Sequence, residues 1–126
     1  LEHNFETQFI ENAFVYHKRR TTFQQFFRQT FAFGKARPFL NRKYPETSKI
    51  TYWFPSVFSV GFLVSLLLSI FGLQFFMGFY MAYFVIIFVD SLLKNKSIKV
   101  AFFSVLTTLV QFSGYGSGFI KGFLIK

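Results

Sequence analysis

ITYWFPSVFSVGFLVSLLLSIFGLQFFMGFYMAYFVIIFV, residues 50–89, is a run of forty residues without a charge, bounded by Lys49 and Asp90. An uncharged, mostly apolar run of about 18 residues or more reads as membrane-spanning. As one helix it would be about 60 Å long at roughly 1.5 Å per residue. That is about twice the ~30 Å thickness of a hydrocarbon core. The run must therefore fold back, and the simplest form is a transmembrane helical hairpin. Gly72-Leu73-Gln74 is the natural turn, which sets spans at about 53–72 and 75–93. Tyr52 and Trp53 then fall at headgroup level, where aromatic belts sit, and Pro55 is tolerated in a first helical turn. Asp90 lies near the far end of the second span, four residues before Lys94. At that depth a carboxylate reaches the interface or pairs locally, rather than serving as a buried relay.

Upstream, residues 18–49 hold nine of the chain's fourteen Lys and Arg. Ala13-Phe14-Val15-Tyr16 is a short β-prone run. Thr21 or Thr22 can cap a helix. Beyond it Phe23, Phe26, Phe27, Thr30, Phe31 and Gly34 recur at three- and four-residue spacing, with Gln24, Gln25, Arg28, Gln29 and Lys35 on much of the other side. This pattern predicts an amphipathic helix ending before Pro38, because the residue before a proline disfavours the helical region. Phe33 interrupts the polar face. Phe opposite basic residues suits a membrane interface; a helix packed on a soluble domain is the alternative. Asn41 to Lys49 reads as a polar connector.

Downstream, Lys94 to Lys99 is a short loop with three Lys, and Val100 to Ile120 is again free of charge. This third segment, about 100–120, is more polar. Ser104, Thr108, Gln111 and Tyr115 fall on one helical stripe. Gly114, Gly118 and Gly122 repeat every fourth residue, a spacing that permits close approach of two helices. A flexible glycine-rich exit, with Gly116 adding to it, is the other reading. Gly114-Tyr115-Gly116-Ser117-Gly118 has no preceding strand, so it is not a dinucleotide fingerprint.

The expected fold is thus mainly α: a basic interface helix and connector over 21–49, then a transmembrane module over 50–126. Composition agrees. Apolar residues make up 52% of 126 residues and charged residues 15%, against about 25% charged in soluble domains. The net charge of +9 points to an anionic membrane surface or phosphate-bearing ligands rather than nucleic acid. Without Cys, neither a disulfide nor a thiolate metal site can form. Basic residues flank the spans unequally, so the N-terminal segment and the 94–99 loop belong on the cytoplasmic side and the 72–74 turn outside. A third span would then leave Lys121 and Lys126 outside. A re-entrant or interfacial third segment avoids that conflict.

No catalytic constellation is complete. His3 and His17 are the only His, and the acids make no close pair with metal-ligand spacing. The chemically suggestive segment runs from His17 to Arg37. Clustered cations at a membrane surface suit diphosphate groups, Arg as a planar fork and Lys as a point charge. The same cations would equally bind anionic headgroups and set topology.

Phe14-Val15-Tyr16-His17-Lys18-Arg19-Arg20-Thr21-Thr22-Phe23, followed by Phe27-Arg28-Gln29-Thr30-Phe31-Ala32-Phe33-Gly34-Lys35-Ala36-Arg37, resembles the C-terminal part of bacterial family 2 glycosyltransferases. The similarity is to the membrane-bound branch of the succinoglycan and exopolysaccharide type. The ending from Gln111 to Gly122 looks like that branch's tail. The resemblance implies a longer parent, of which residues 1–20 would close an upstream domain of the GT-A type. The parent would move a sugar from a nucleotide-sugar donor to a lipid-linked or polysaccharide acceptor at the cytoplasmic face of the bacterial inner membrane. A divalent metal, Mg or Mn, would bridge the donor diphosphate. The family's Asp-x-Asp motif and acidic base are not in this chain, so these residues alone are expected to be inactive. The Gln-x-x-Arg-Trp signature of the processive branch is also missing; Gln29, with Lys35 and Arg37, occupies a similar place. The implied diphosphate or acceptor contacts are His17, Arg19, Arg20, Arg28, Gln29, Lys35 and Arg37, with His17 as a metal or diphosphate contact. The alternatives are a stand-alone membrane protein and a module that binds anionic lipid without an enzymatic role.

Overall fold

The computed structural model describes residues 8–9, 13–16 and 22–125. The regular structure of the described residues is helical, without strands, in four long helices: α1 Phe23–Lys43, α2 Phe54–Ile70, α3 Phe75–Asn95 and α4 Ile98–Leu124. Two short 3-10 turns, Pro45–Thr47 and Ile50–Trp53, join α1 to α2. The helices α2, with its preceding turn, α3 and α4 are each long and apolar enough to cross a membrane. Little of any of them is buried inside the molecule. Side chains such as Leu63, Leu67, Phe79 and Ile86 point outward, as lipid-facing positions do.

The helix ends follow local chemistry. Thr22 is the cap of α1, its hydroxyl accepting from the Gln25 amide at 3.2 Å. Ser97 caps α4 in the same way through the Val100 amide at 3.4 Å. Between α2 and α3 the chain turns over Phe71 to Gln74, and Gly72 takes the left-handed conformation with φ 84°. That conformation is cheap only for glycine. The hairpin turn stands where the uncharged run placed it.

Two expectations are corrected. Ala13 to Tyr16 has no regular structure and is exposed. A strand needs a partner for its backbone groups, and no strand exists among the described residues. Nor does α1 stop before Pro38: it continues to Lys43 and absorbs Asn41 to Lys43 from the connector. An interior proline costs a hydrogen bond and crowds the carbonyl four residues back. Here Pro38 is buried, and its ring packs on the same face as Thr30 and Gly34. Tertiary packing overrides the local preference.

The most extensive packing is between α1 and α4. They run in the same direction, from Phe23 stacked near Phe103 (ring centroids 6.0 Å) to Arg42 at Phe123 and Ile125. The other contacts have opposite sense. Going up α2, Trp53 meets Phe119 and Phe123, Ser56 meets Gly116, and Phe58 meets Phe112. Along α3, Phe84 and Tyr80 meet Phe58 while Met77 meets Ser65. From α3 to α4, Ser91 meets Ser104 across a two-residue link. Three near-parallel axes cannot all oppose one another. The axes of α2, α3 and α4 are therefore not all near-parallel, and Phe58 touches both α3 and α4.

Candidate membrane-interface site

The basic segment is organised by its contact with α4. Thr30, Gly34 and Pro38, each four residues apart, are the buried residues of α1. Gly114, Gly118 and Gly122 have the same spacing and are buried on α4. Backbone touches backbone along this seam. A Cβ on Gly118 would collide with the Phe31 carbonyl oxygen, one on Gly122 with that of Lys35, and one on Gly34 with that of Tyr115. Gly114 leaves room for the Thr30 hydroxyl. Small residues at this interval let helices approach closely enough for dispersion and Cα–H···O contacts to act. Gly116 faces elsewhere: a Cβ there would lie 2.7 Å from the Pro55 oxygen on α2. The alternating glycines thus serve two neighbours, α1 through 114, 118 and 122, and α2 through 116.

Because the seam takes one face of α1, its cations divide between two flanks. Arg37 lies on the flank shared by Phe26, Phe33 and Leu40, at seven- and four-residue intervals. Its guanidinium carbon is 4.1 Å from the Tyr52 ring centroid, a cation–π contact that ties α1 to the chain entering α2. Gln24, Arg28, Lys35 and Arg42 occupy the opposite flank and are exposed. On that flank Lys121 of α4 reaches the Phe31 ring, 5.8 Å from its centroid. Phe33, which broke the polar pattern in the sequence, belongs to the apolar flank.

The implied contact residues are therefore not one cluster. Arg28 and Lys35 share a flank two turns apart, and Gln29 and Arg37 fall toward the other. His17, Arg19 and Arg20 lie outside the described residues. Arg42, which sequence reasoning did not single out, has the most specific role of the described cations. Its guanidinium donates to the carbonyl oxygens of Phe123 at 2.9 Å and Ile125 at 3.3 Å. These are carbonyls at the end of α4 that no helical N–H can reach. The signal for it was weak: an Arg in what read as a polar connector, more than eighty residues from its partners.

Several hydroxyls on α4 are satisfied locally. Ser104, Thr107, Thr108, Ser113 and Ser117 donate to carbonyls four residues back, at 2.6–2.9 Å. Such back-bonding lets a hydroxyl sit in an apolar setting. Asp90 pairs with Lys94 at 2.9 Å, and both are exposed, so the carboxylate is neutralised locally, one of the two alternatives the sequence left for it. Between α2 and α4 an apolar cleft of about 270 Å³ is lined by residues such as Phe58, Phe62, Leu63 and Phe112.

A divalent metal is implied by the family resemblance for the parent. Among the described residues no three His, Cys, Asp or Glu come together as ligands. The described carboxylates are Glu46 and Asp90, in separate elements, and Asp90 is already engaged by Lys94. The donor set of the described residues does not fit such a metal.

In comparisons with known proteins, no family model, no curated protein and no solved structure matches the chain.

Proposed function

We propose that this chain is the membrane-anchoring, C-terminal module of a family 2 glycosyltransferase. The parent moves a sugar from a nucleotide-sugar donor to a lipid-linked or polysaccharide acceptor at the cytoplasmic face of the inner membrane. The observation that carries the reading is the junction itself. A helix bearing the Arg-Gln-aromatic-Gly-basic motif is locked, backbone to backbone, onto a membrane module ending in a glycine-rich tail. Arg28 and Lys35 stay exposed on that helix, open to a donor domain.

The chemistry is consistent with such a place. Breaking a nucleotide-sugar bond leaves charge on a diphosphate, and fixed cations stabilise it. Arg28 and Lys35 are held on a helix that cannot rotate without breaking the glycine seam, so they are preorganised. Arg37 is turned toward Tyr52 and acts as a tether.

The test is sugar transfer by membranes carrying the full-length parent, with Arg28→Ala and Lys35→Ala at normal expression. The reading predicts a loss of transfer rate of roughly tenfold or more, with membrane insertion intact. Unchanged rates would leave these cations to topology. A parent without a nucleotide-sugar-binding domain would overturn the reading outright.

A further inference from the structure

The helix α4 is long enough to cross a bilayer, but its neighbours place it differently. We propose that α1 and α4 lie side by side in the membrane–water interface, and that the α2–α3 hairpin alone crosses. Their exposed cations then rest on the anionic headgroups of one leaflet. This holds whether or not the parent transfers sugars.

The first ground is the path of the chain. A hairpin that crosses and returns has both feet on one side. Here the feet stand at opposite ends of α4: Trp53 against Phe119 and Phe123, Ser91 against Ser104. A helix that bridges the two feet lies along that side.

The second ground is the partner that α4 carries. The glycine seam and the Arg42 hydrogen bonds hold α1 beside α4 along nearly its whole length. An upright α4 would draw α1 into the hydrocarbon with Arg28, Lys35 and Arg37. A flat pair keeps them at headgroup depth, where an anionic leaflet attracts them.

The third ground is direction. The apolar flank of α1, Phe26, Phe33 and Leu40, faces the same way as the hairpin, because Arg37 on that flank meets Tyr52 at the foot of α2. The opposite flank carries Arg28, Lys35 and Arg42, with Lys121 beside it. One face of the pair is thus apolar on the hairpin side, and the other is cationic. In this arrangement Lys43, Lys49, Lys94, Lys96, Lys99 and Lys121 share one side of the membrane, as the bias of basic residues requires. An upright α4 would divide them.

The chain has no Cys, so single cysteines can be read cleanly. Lys99→Cys, Lys121→Cys and Leu73→Cys variants of the full chain are labelled in sealed vesicles with an uncharged, impermeant maleimide applied from one side. The expected result is that positions 99 and 121 label from the same side and position 73 from the other. Labelling of 99 and 121 from opposite sides would overturn the proposal, as would labelling of 73 from the same side as 99. Lys94→Cys and Lys43→Cys repeat the two ends at other exposed positions, so a variant that misfolds does not decide the outcome. The lipid assignment is read from Lys35→Cys in neutral vesicles and in vesicles with about a quarter anionic lipid. Labelling several-fold slower on the anionic surface, restored by high salt, is expected. Equal rates would overturn the anionic-leaflet assignment.

Discussion

Replacing Gly118 by Ala puts one methyl group into the α1–α4 seam. The methyl would meet the carbonyl oxygen and carbon of Phe31 and the amide nitrogen of Lys35. All are backbone atoms, so no rotamer change can make room and the helices must separate. Overpacking of this kind costs about 1–3 kcal/mol. Separation also weakens Cα–H···O contacts worth about 0.5–1 kcal/mol each. Alanine returns roughly 0.8–1 kcal/mol through helix propensity. The net expectation is a destabilisation of about 2 kcal/mol, on the order of a thirtyfold shift in the equilibrium at ~1.4 kcal/mol per decade. Trp53 is the only Trp and sits 4.9 and 5.2 Å, ring to ring, from Phe119 and Phe123. Its fluorescence therefore reports opening at this end of the seam during titration with a denaturing detergent. Gly78→Ala is the internal control, because a Cβ there meets nothing within 4 Å and only the propensity gain applies. If Gly118→Ala were as stable as Gly78→Ala, the seam would not hold α1 to α4.

Arg42→Ala should free the Phe123 and Ile125 carbonyls at a cost of about 0.5–1.5 kcal/mol; faster amide exchange confined to the last turn of α4 and its junction with α1 is the check, with Arg42→Lys intermediate because it lacks the planar fork. Ser91→Ala should lose the 2.8 Å hydroxyl pair with Ser104, and a double-mutant cycle with Ser104→Ala should give a coupling of about 0.6 kcal/mol, the scale found inside membranes. Asp90→Asn should change stability by less than about 0.5 kcal/mol, since its ion pair with Lys94 is exposed; a larger loss in the same detergent titration would assign Asp90 a role that its position does not.

Much of this fold was legible because membranes impose few solutions. The forty uncharged residues required a fold-back, and Gly72 between two apolar stretches located it. Position could be read there because only glycine takes φ 84° cheaply. The repeat of Gly114, Gly118 and Gly122 announced a close approach, but not to what. The complementary spacing of Thr30, Gly34 and Pro38 was present, yet Pro38 read locally as a stop. A local rule cannot register that burial in a seam stabilises a proline in place. The candidate site was less legible. Arg28, Gln29, Lys35 and Arg37 are neighbours in sequence, but the seam's orientation sends them to different flanks. The pairing of Arg42 with the end of α4 depends on tertiary contact alone.

Energetics separate the two arrangements of α4. Upright, the pair would hold Arg28, Lys35 and Arg37 at core depth, at about 2.5–3.5 kcal/mol each near the centre of a span, roughly 8–10 kcal/mol in all. Flat, each exposed cation gains about 1 kcal/mol near an anionic surface. The direct measurement is helix tilt, by solid-state NMR of the ¹⁵N-labelled chain in aligned anionic bilayers. Resonances of α2 and α3 should fall in the pattern of helices near the membrane normal, and those of α1 and α4 in the pattern of helices near the membrane plane. All four helices near the normal would contradict the account.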